Sequence, residues 1–399
     1  MSIFRLTTCL LLSLSLTLHA EVKPAAKSIR TSMESFVKDG SLSGAVTLFS
    51  HDGKIVNEEA VGLRDIASKS PMTKDSLFWI ASMTKPMTAL AVMMLQDEGK
   101  LSIDDPVMKH LPEFKGQMLL KEKTKDQTVL VKPARPITIK DLLTHTSGLV
   151  SASPLDADAL DVLSLKEAVI TYALSPLQFE PGSKWSYCNP GINTLGRLIE
   201  VASGEAYADF MEKRIFKPLG MRSTTFWPDK KELSRLATSY KPAEDGKGLA
   251  PVGIRYLTPP FSNKKRAPLA AGGLFSTAED LLKLYQMVLD GGVVGKKRLI
   301  KAETLQLMAT NHTGEMKAGF SDGMGMGLGF QVVRQPTGVT AMLSPGTFGH
   351  GGAHGTQGWI DPTTKTIYIL LIQRTGLKPS GDASPMRQAF QEAAAAAMK

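Results

Sequence analysis

The sequence predicts a mixed α/β (α+β) fold, with an antiparallel sheet built from both chain ends, flanked by helices, and an all-helical subdomain inserted between its halves. Three observations predict it. Short β-rich runs at 44–50 and 55–62 are joined by His51-Asp52-Gly53-Lys54, a hairpin signal. Strand signals return at 327–333, 358–360 and 366–372. Between these ends, apolar residues recur at helical spacing. The economical division places the sheet at about 28–80 and 325–399 and the helical part at about 81–324.

The elements follow in order. Residues 28–38 carry Ile29, Met33, Phe36 and Val37 at helical spacing and stop at Asp39-Gly40. After the hairpin, 83–96 is a strongly apolar helix ending near Gly99. Further helical patterns lie at 139–143, 165–174, 192–202, 207–215, 278–289 and 302–308. A last helix runs from about Ser384 into the alanine tract 393–397. There is no repeat period and no obvious linker.

Composition narrows the class. With 399 residues, 43% hydrophobic and 21% charged, the chain is neither disordered, collagenous nor a long coiled coil. Arg5, the apolar stretch 6–18 and Ala20 form a secretory signal-peptide pattern over residues 1–20, leaving 21–399 as the mature domain. About thirteen apolar residues are too few to span a bilayer, and no later run is longer, so no integral membrane span is expected. The expected location is periplasmic or secreted. Of two cysteines, Cys9 belongs to that leader, so Cys188 has no partner for an internal disulfide. The net charge of +9 sits in scattered clusters at 121–125, 264–266 and 296–298, without the aromatics or motif of a nucleic-acid reader. They read as solvated faces, and no nucleic-acid partner is expected.

Two chemistries drop out on context. His350 and His354 have ligand-like spacing, but Gly351-Gly352 argues against a helix between them, and no Glu follows the first to act as base. No metal and no cofactor is expected. Gly319-Phe320-Ser321-Asp322-Gly323 matches the G-x-S-x-G nucleophile elbow, which needs a strand before the serine and a helix after it. The polar stretch before it and the Met/Gly alternation after it supply neither, so it reads as a loop.

Ser82-Met83-Thr84-Lys85 survives. S-x-x-K also occurs at Ser35 and Ser262, but only this copy opens an apolar helix after an apolar run. One turn separates i from i+3, so the Lys85 ammonium can reach the Ser82 hydroxyl. Helix-start N–H groups lack internal partners, which leaves the Ser82 N–H able to face an oxyanion. Tyr187-Cys188-Asn189, the one Y-x-N in the chain, follows a turn-rich loop. A phenol in a cationic pocket serves as a base once its pKa is pulled down, and the Asn189 amide can donate to an acyl carbonyl. Finally, His350-Gly351-Gly352 precedes a strand, placing a polar side chain and bare backbone where a substrate could lie along a sheet edge.

With these residues in this order, the chain resembles the serine β-lactamase and penicillin-binding-protein superfamily, and within it the class C-like serine hydrolases that include family VIII esterases. Further signposts are Trp79-Ile80-Ala81 before Ser82, Leu142-Leu143-Thr144-His145-Thr146-Ser147-Gly148-Leu149, Ala270-Ala271-Gly272-Gly273-Leu274-Phe275-Ser276-Thr277 and Gly349-His350-Gly351-Gly352. The resemblance spans about 28–395 and implies a β-lactamase/transpeptidase-like fold. It implies Ser82 as the acylated nucleophile, Lys85 as its electrostatic partner, and Tyr187 as the catalytic tyrosine. It further implies Asn189 as a substrate-facing amide and an oxyanion hole made by the Ser82 and Ala353 N–H groups. His350 and Gly352 then stand beside the substrate. The loops at 145–149 and 272–273 are expected to be structural, and Cys188 to be packed rather than reactive.

His-Gly-Gly replaces the Lys-Thr-Gly of β-lactamases, removing a cation and a hydroxyl that help to hold a substrate carboxylate. The expected function is therefore an exported serine hydrolase, most readily a carboxylesterase. The alternatives are a D-amino-acid peptidase, carboxypeptidase or weak β-lactamase acting on wall-type substrates, or a silent peptidoglycan- or partner-binding protein. Its partners would be a small-molecule ester, a lactam or a D-amino-acid peptide.

Overall fold

Strands from the two ends of the chain pair directly. Gly44–His51 lies antiparallel to Thr366–Leu371, with Val46 opposite Leu371 and His51 opposite Thr366. The structure, a computed structural model, describes residues 24–153 and 160–398. The segment expected to be a signal peptide, 1–20, lies outside the described residues.

Eight strands form one antiparallel sheet in the order Met324–Met326, Gln331–Val333, Phe348–Gly351, Gln357–Asp361, Thr366–Leu371, Gly44–His51, Lys54–Asp65, Ser70–Pro71. The two-residue alternation of the central strands sends side chains into two different cores. Val46, Leu48, Ile367 and Ile369 join the larger core, shared with the helices Thr84–Asp97 and Ala278–Leu289. Phe49, Trp359, Tyr368 and Leu370 face the other way, onto the helices Pro24–Lys38 and Pro385–Ala396 through Ile29, Met33 and Phe390. Burying each such side chain contributes about 1.5–3 kcal/mol, so the sheet is fixed on both faces. No helix among the described residues is long and apolar enough to cross a membrane.

Two strand expectations differ from the structure. The run 327–333 is not one strand but part of a hairpin, with Met324 opposite Val333 and Gly327 N–H donating to Phe330 O at 2.8 Å. Gly329 makes this reversal possible: it sits at φ +80°, and a Cβ there would stand 2.3 Å from Ala89 Cβ. The apolar pattern simply continues through the turn. The His-Gly-Gly segment does precede a strand, Gln357–Asp361, but His350 and Gly351 already belong to the strand paired with it, Phe348–Gly351.

Candidate active site

The segment before Ser82 is tied down on both sides. Phe78–Trp79 pairs with Phe275–Ser276, Trp79 Nε1 donates to Gly272 O at 2.7 Å, and Ile80 N–H donates to Leu274 O at 3.0 Å. The chain then turns through Ala81 at φ +46°, a strained value for a residue with a Cβ. Ser82 follows in the short 3₁₀ turn Ala81–Met83, and the α-helix Thr84–Asp97 begins two residues later. A backbone held this firmly presents the Ser82 side chain in one position.

Three side chains meet there. Tyr187 Oη donates to Ser82 Oγ at 2.7 Å, and Lys85 Nζ donates to the same oxygen at 3.0 Å. Lys85 is only 1% exposed, and its other partner is Ala271 O at 2.6 Å. Ala271, beside the 272–273 loop expected to be structural, thus supplies an acceptor that orients the lysine. Asn193 Oδ1 in turn accepts the Ala271 N–H at 3.0 Å. Nothing in the sequence near Asn193 signalled that support.

Tyr187 is positioned by residues that sequence reasoning left as a turn. It precedes the helix Asn189–Ser203, whose N-cap is Cys188, with Cys188 Sγ accepting the Gly191 N–H. His145 grips both flanks of the tyrosine: its carbonyl accepts the Ser186 N–H at 2.9 Å, and its Nδ1 accepts the Cys188 N–H at 3.1 Å. The His145 ring lies 4.6 Å from that of Tyr187, and Lys85 Nζ stands 4.7 Å from the tyrosyl centroid. His145 does this at φ +59°, fully buried, with Nε2 lacking a protein partner.

Burial sets the protonation states. It drives the Lys85 amine well below its ordinary value and pushes the Tyr187 hydroxyl well above its own, the Ser82 hydrogen bond opposing the latter. The expectation that a cationic pocket would pull the Tyr187 pKa down is therefore reversed in direction. Burial thus works against both charged forms, the ammonium of Lys85 and the phenolate of Tyr187. Burial also pushes the Cys188 thiol up to about 12, which agrees with a packed cysteine. His350 is pushed down to about 3 by burial and then by Lys85.

Ser82 and Tyr187 open on a cavity of about 150 Å³ lined also by Trp79, Leu160, Tyr256, Leu269, Asn189 and Ala353. The expected substrate amide Asn189 and both oxyanion-hole residues, Ser82 and Ala353, are thus at one opening. A Cβ on Gly352 would stand 2.6 Å from Ile80 O, so this glycine lets the 348–352 segment approach the backbone before Ser82 and brings Ala353 alongside. His350 and Gly352 do not line the cavity. The His350 side chain is buried, with Nδ1 against Gly351 O at 2.6 Å, while Gly352 N–H donates to Thr356 O at 2.7 Å. His354 lies apart from His350 in function: its Nδ1 faces Ser239 Oγ and Gln373 Oε1. Ser321 is not at this opening; residues 319–323 form bends and turns that lead into the strand Met324–Met326. A larger cavity of about 210 Å³ near Phe114 and Leu177 has Lys132 as its one titratable lining residue and lacks a nucleophile.

The chemistry of this arrangement is proton exchange with a half-buried serine hydroxyl beside an apolar, acyl-sized recess. Comparisons with known proteins agree. Residues 29–393 match the beta-lactamase family. Protein Rv1367c of Mycobacterium tuberculosis is 35% identical over 84% of this chain and 86% of its own length. Esterase EstB of Burkholderia gladioli is 29% identical over 90% and 92%. The solved structure of EstCE1, a hydrolase with promiscuous acyltransferase activity, superposes with TM-score 0.78 at 25% identity, covering 93% of this chain and 98% of that one. This chain therefore belongs to the beta-lactamase family, as a serine hydrolase of the β-lactamase-related, esterase-like kind.

Proposed function

We propose that this protein is an exported carboxylesterase that works through an acyl-enzyme on Ser82. The observation that carries the reading is the convergence of Tyr187 Oη and Lys85 Nζ on Ser82 Oγ, at 2.7 and 3.0 Å, beside a cavity with no Lys or Arg among its described lining residues. EstB and EstCE1, an esterase and a hydrolase, support the same choice. Export rests on the leader pattern in residues 1–20.

The directions of the two shifts, amine down and phenol up, favour one proton path. Lys85 Nζ takes the Ser82 proton as Oγ attacks the ester carbonyl carbon, and the oxyanion forms against the Ser82 and Ala353 N–H groups. As the C–O bond breaks, Tyr187 Oη protonates the leaving oxygen and Lys85 returns a proton to the tyrosine. Water then repeats the sequence on the acyl-enzyme, its proton replacing the one restored to Ser82 Oγ. Asn189 is placed to donate to the acyl group. His350 and Gly352 act from behind the strand rather than on the substrate.

A fluorophosphonate label followed by peptide mapping tests the nucleophile, and a panel of p-nitrophenyl esters, nitrocefin and D-alanyl peptides tests the substrate class. Adduct on Ser82 with ester turnover is the expected result. Peptide turnover without ester turnover would replace the reading with a peptidase, and absence of any adduct would leave a binding protein.

A further inference from the structure

We propose that Phe320, together with Trp185, forms a leaving-group subsite that selects esters of phenols and related aryl alcohols. The inference rests on the esterase reading above and deepens it. Phe320 lies in the 319–323 stretch whose serine mimics a nucleophile elbow; its role comes instead from the aromatic residue before that serine. Gly319 at φ +79° and Gly323 at φ +74° turn this loop so that Phe320 stands over the catalytic tyrosine. The Phe320 ring meets Tyr187 edge-on at 4.8 Å and Trp185 edge-on at 5.8 Å.

Phe320 nevertheless keeps 38% of its surface exposed, the one aromatic among the described large apolar side chains left so open. Beside it, Trp185 Nε1 is buried and donates to no protein acceptor. The half-exposed Phe320 ring and the Trp185 ring thus both stand against Tyr187, whose hydroxyl lies on Ser82 Oγ.

The direction of the reaction decides what that lip touches. The leaving oxygen must face the group that protonates it, and Tyr187 Oη is 2.7 Å from Ser82 Oγ. The leaving group therefore extends past Tyr187 toward Phe320 and Trp185. The acyl chain turns the other way, into the recess of Trp79, Leu160, Tyr256 and Leu269, which Phe320 does not line. The exposed part of the Phe320 ring, which meets Tyr187 at 68°, offers an apolar surface to which an aryl ring can stack or present its edge. In acylation the ester C–O bond breaks, the carbonyl carbon bonds to Ser82 Oγ, and the aryl oxygen leaves with the Tyr187 proton.

The test uses phenyl butyrate and trifluoroethyl butyrate, which give the same butyryl-enzyme from an aryl and a non-aromatic alcohol of useful leaving ability. In Phe320→Ala, kcat/KM for the phenyl ester is expected to fall about three- to tenfold further than for the trifluoroethyl ester, the worth of one aromatic pair. The deacylation rate constant should remain common to both esters, and Phe320→Tyr should restore the preference. A variant that slows both esters and deacylation alike would show Phe320 acting through Tyr187 and would overturn the subsite, as would an unmoved ratio. If the wild-type protein turns over neither ester, the esterase reading itself fails, before any variant is compared.

Discussion

The Tyr187 hydroxyl donates to Ser82 Oγ at 2.7 Å, while burial holds that phenol above its ordinary pKa. In the proposed mechanism Tyr187 is therefore the proton donor, and the second group on the same oxygen, the desolvated amine of Lys85, is the acceptor for the Ser82 proton. A lysine with a depressed pKa is a usable base above its folded value and is lost as pH falls through it.

The rate should accordingly fall on the acid side, with a limb that belongs to the coupled Lys85–Tyr187 pair. No alkaline limb should appear below about pH 10, because Tyr187 titrates above the ordinary tyrosine value. Lys85→Arg, which cannot deprotonate, should lose about 10²- to 10⁴-fold in acylation, and Tyr187→Phe should lose a similar factor. Pre-steady-state burst kinetics from pH 5 to 10 would check this. An alkaline limb well below pH 10, together with an active Lys85→Arg variant, would restore the phenolate as base.

Ser82→Ala should abolish covalent labelling and lower turnover by several orders of magnitude, because the oxyanion hole alone supplies only part of the acceleration. Ser321→Ala should leave labelling nearly intact, since no strand and helix flank Ser321 to make an elbow. Loss of labelling in a folded Ser321→Ala protein would overturn the assignment.

His145 was readable as a residue in a motif but not as a support. Its work depends on a left-handed backbone value and on two contacts about forty residues away in sequence, at Ser186 and Cys188. Asn tolerates that conformation and its Oδ1 can replace the Nδ1 acceptor; Gly tolerates it but offers neither ring nor acceptor. His145→Gly should therefore lower kcat by about 10²-fold with a smaller change in KM, the cost of misplacing a reacting group by about 1 Å. His145→Asn should recover most of that loss. Equal losses in the two variants would mean that ring packing alone matters.

The same contrast explains what could be read in advance. Local patterns carried the paired chain ends, the apolar helix behind Ser82 and the order of Ser82, Lys85, Tyr187 and Asn189, because each is written in a few adjacent residues. Ala271 O on Lys85, Asn193 behind it, Phe320 beside Tyr187 and the dryness that inverts the Lys85 and Tyr187 titrations arise from tertiary contact. Spacing says which side chains share a helical turn; it does not say how much water reaches them.

Gly351 shows why His-Gly-Gly is not a relaxed version of Lys-Thr-Gly. A Cβ at Gly351 would lie 2.2 Å from Asp382 Oδ1 and 2.6 Å from Gln357 Nε2. Asp382 is half-buried there, desolvation pushes its carboxyl above the usual range, and Arg387 opposes that shift. Gly351→Ala should cost about 1–3 kcal/mol of stability through overpacking. In an Asp382→Gly background the same substitution should cost measurably less, which a thermal double-mutant cycle would resolve. Additive effects would mean that the strand, not Asp382, resists the added methyl.

The proposed ester preference rests on a cavity whose described lining carries no cation for a substrate carboxylate. No Lys or Arg is among the described residues lining the Ser82 cavity, and the His350 imidazole, at about 3, stays neutral throughout the working range. A charge-assisted hydrogen bond to a carboxylate contributes roughly 1.5–3 kcal/mol, so a β-lactam should forfeit about ten- to a hundredfold in transition-state binding. An aryl ester has no carboxylate and loses nothing. Short-chain p-nitrophenyl esters should be hydrolysed with kcat/KM at least that much above nitrocefin's, and the ratio should change little between pH 6 and 8, since His350 does not titrate there. A wild-type preference for nitrocefin would mean that a cation outside the cavity reaches the carboxylate, and a ratio that rises as pH increases from 6 to 8 would point to a titrating histidine at the substrate after all.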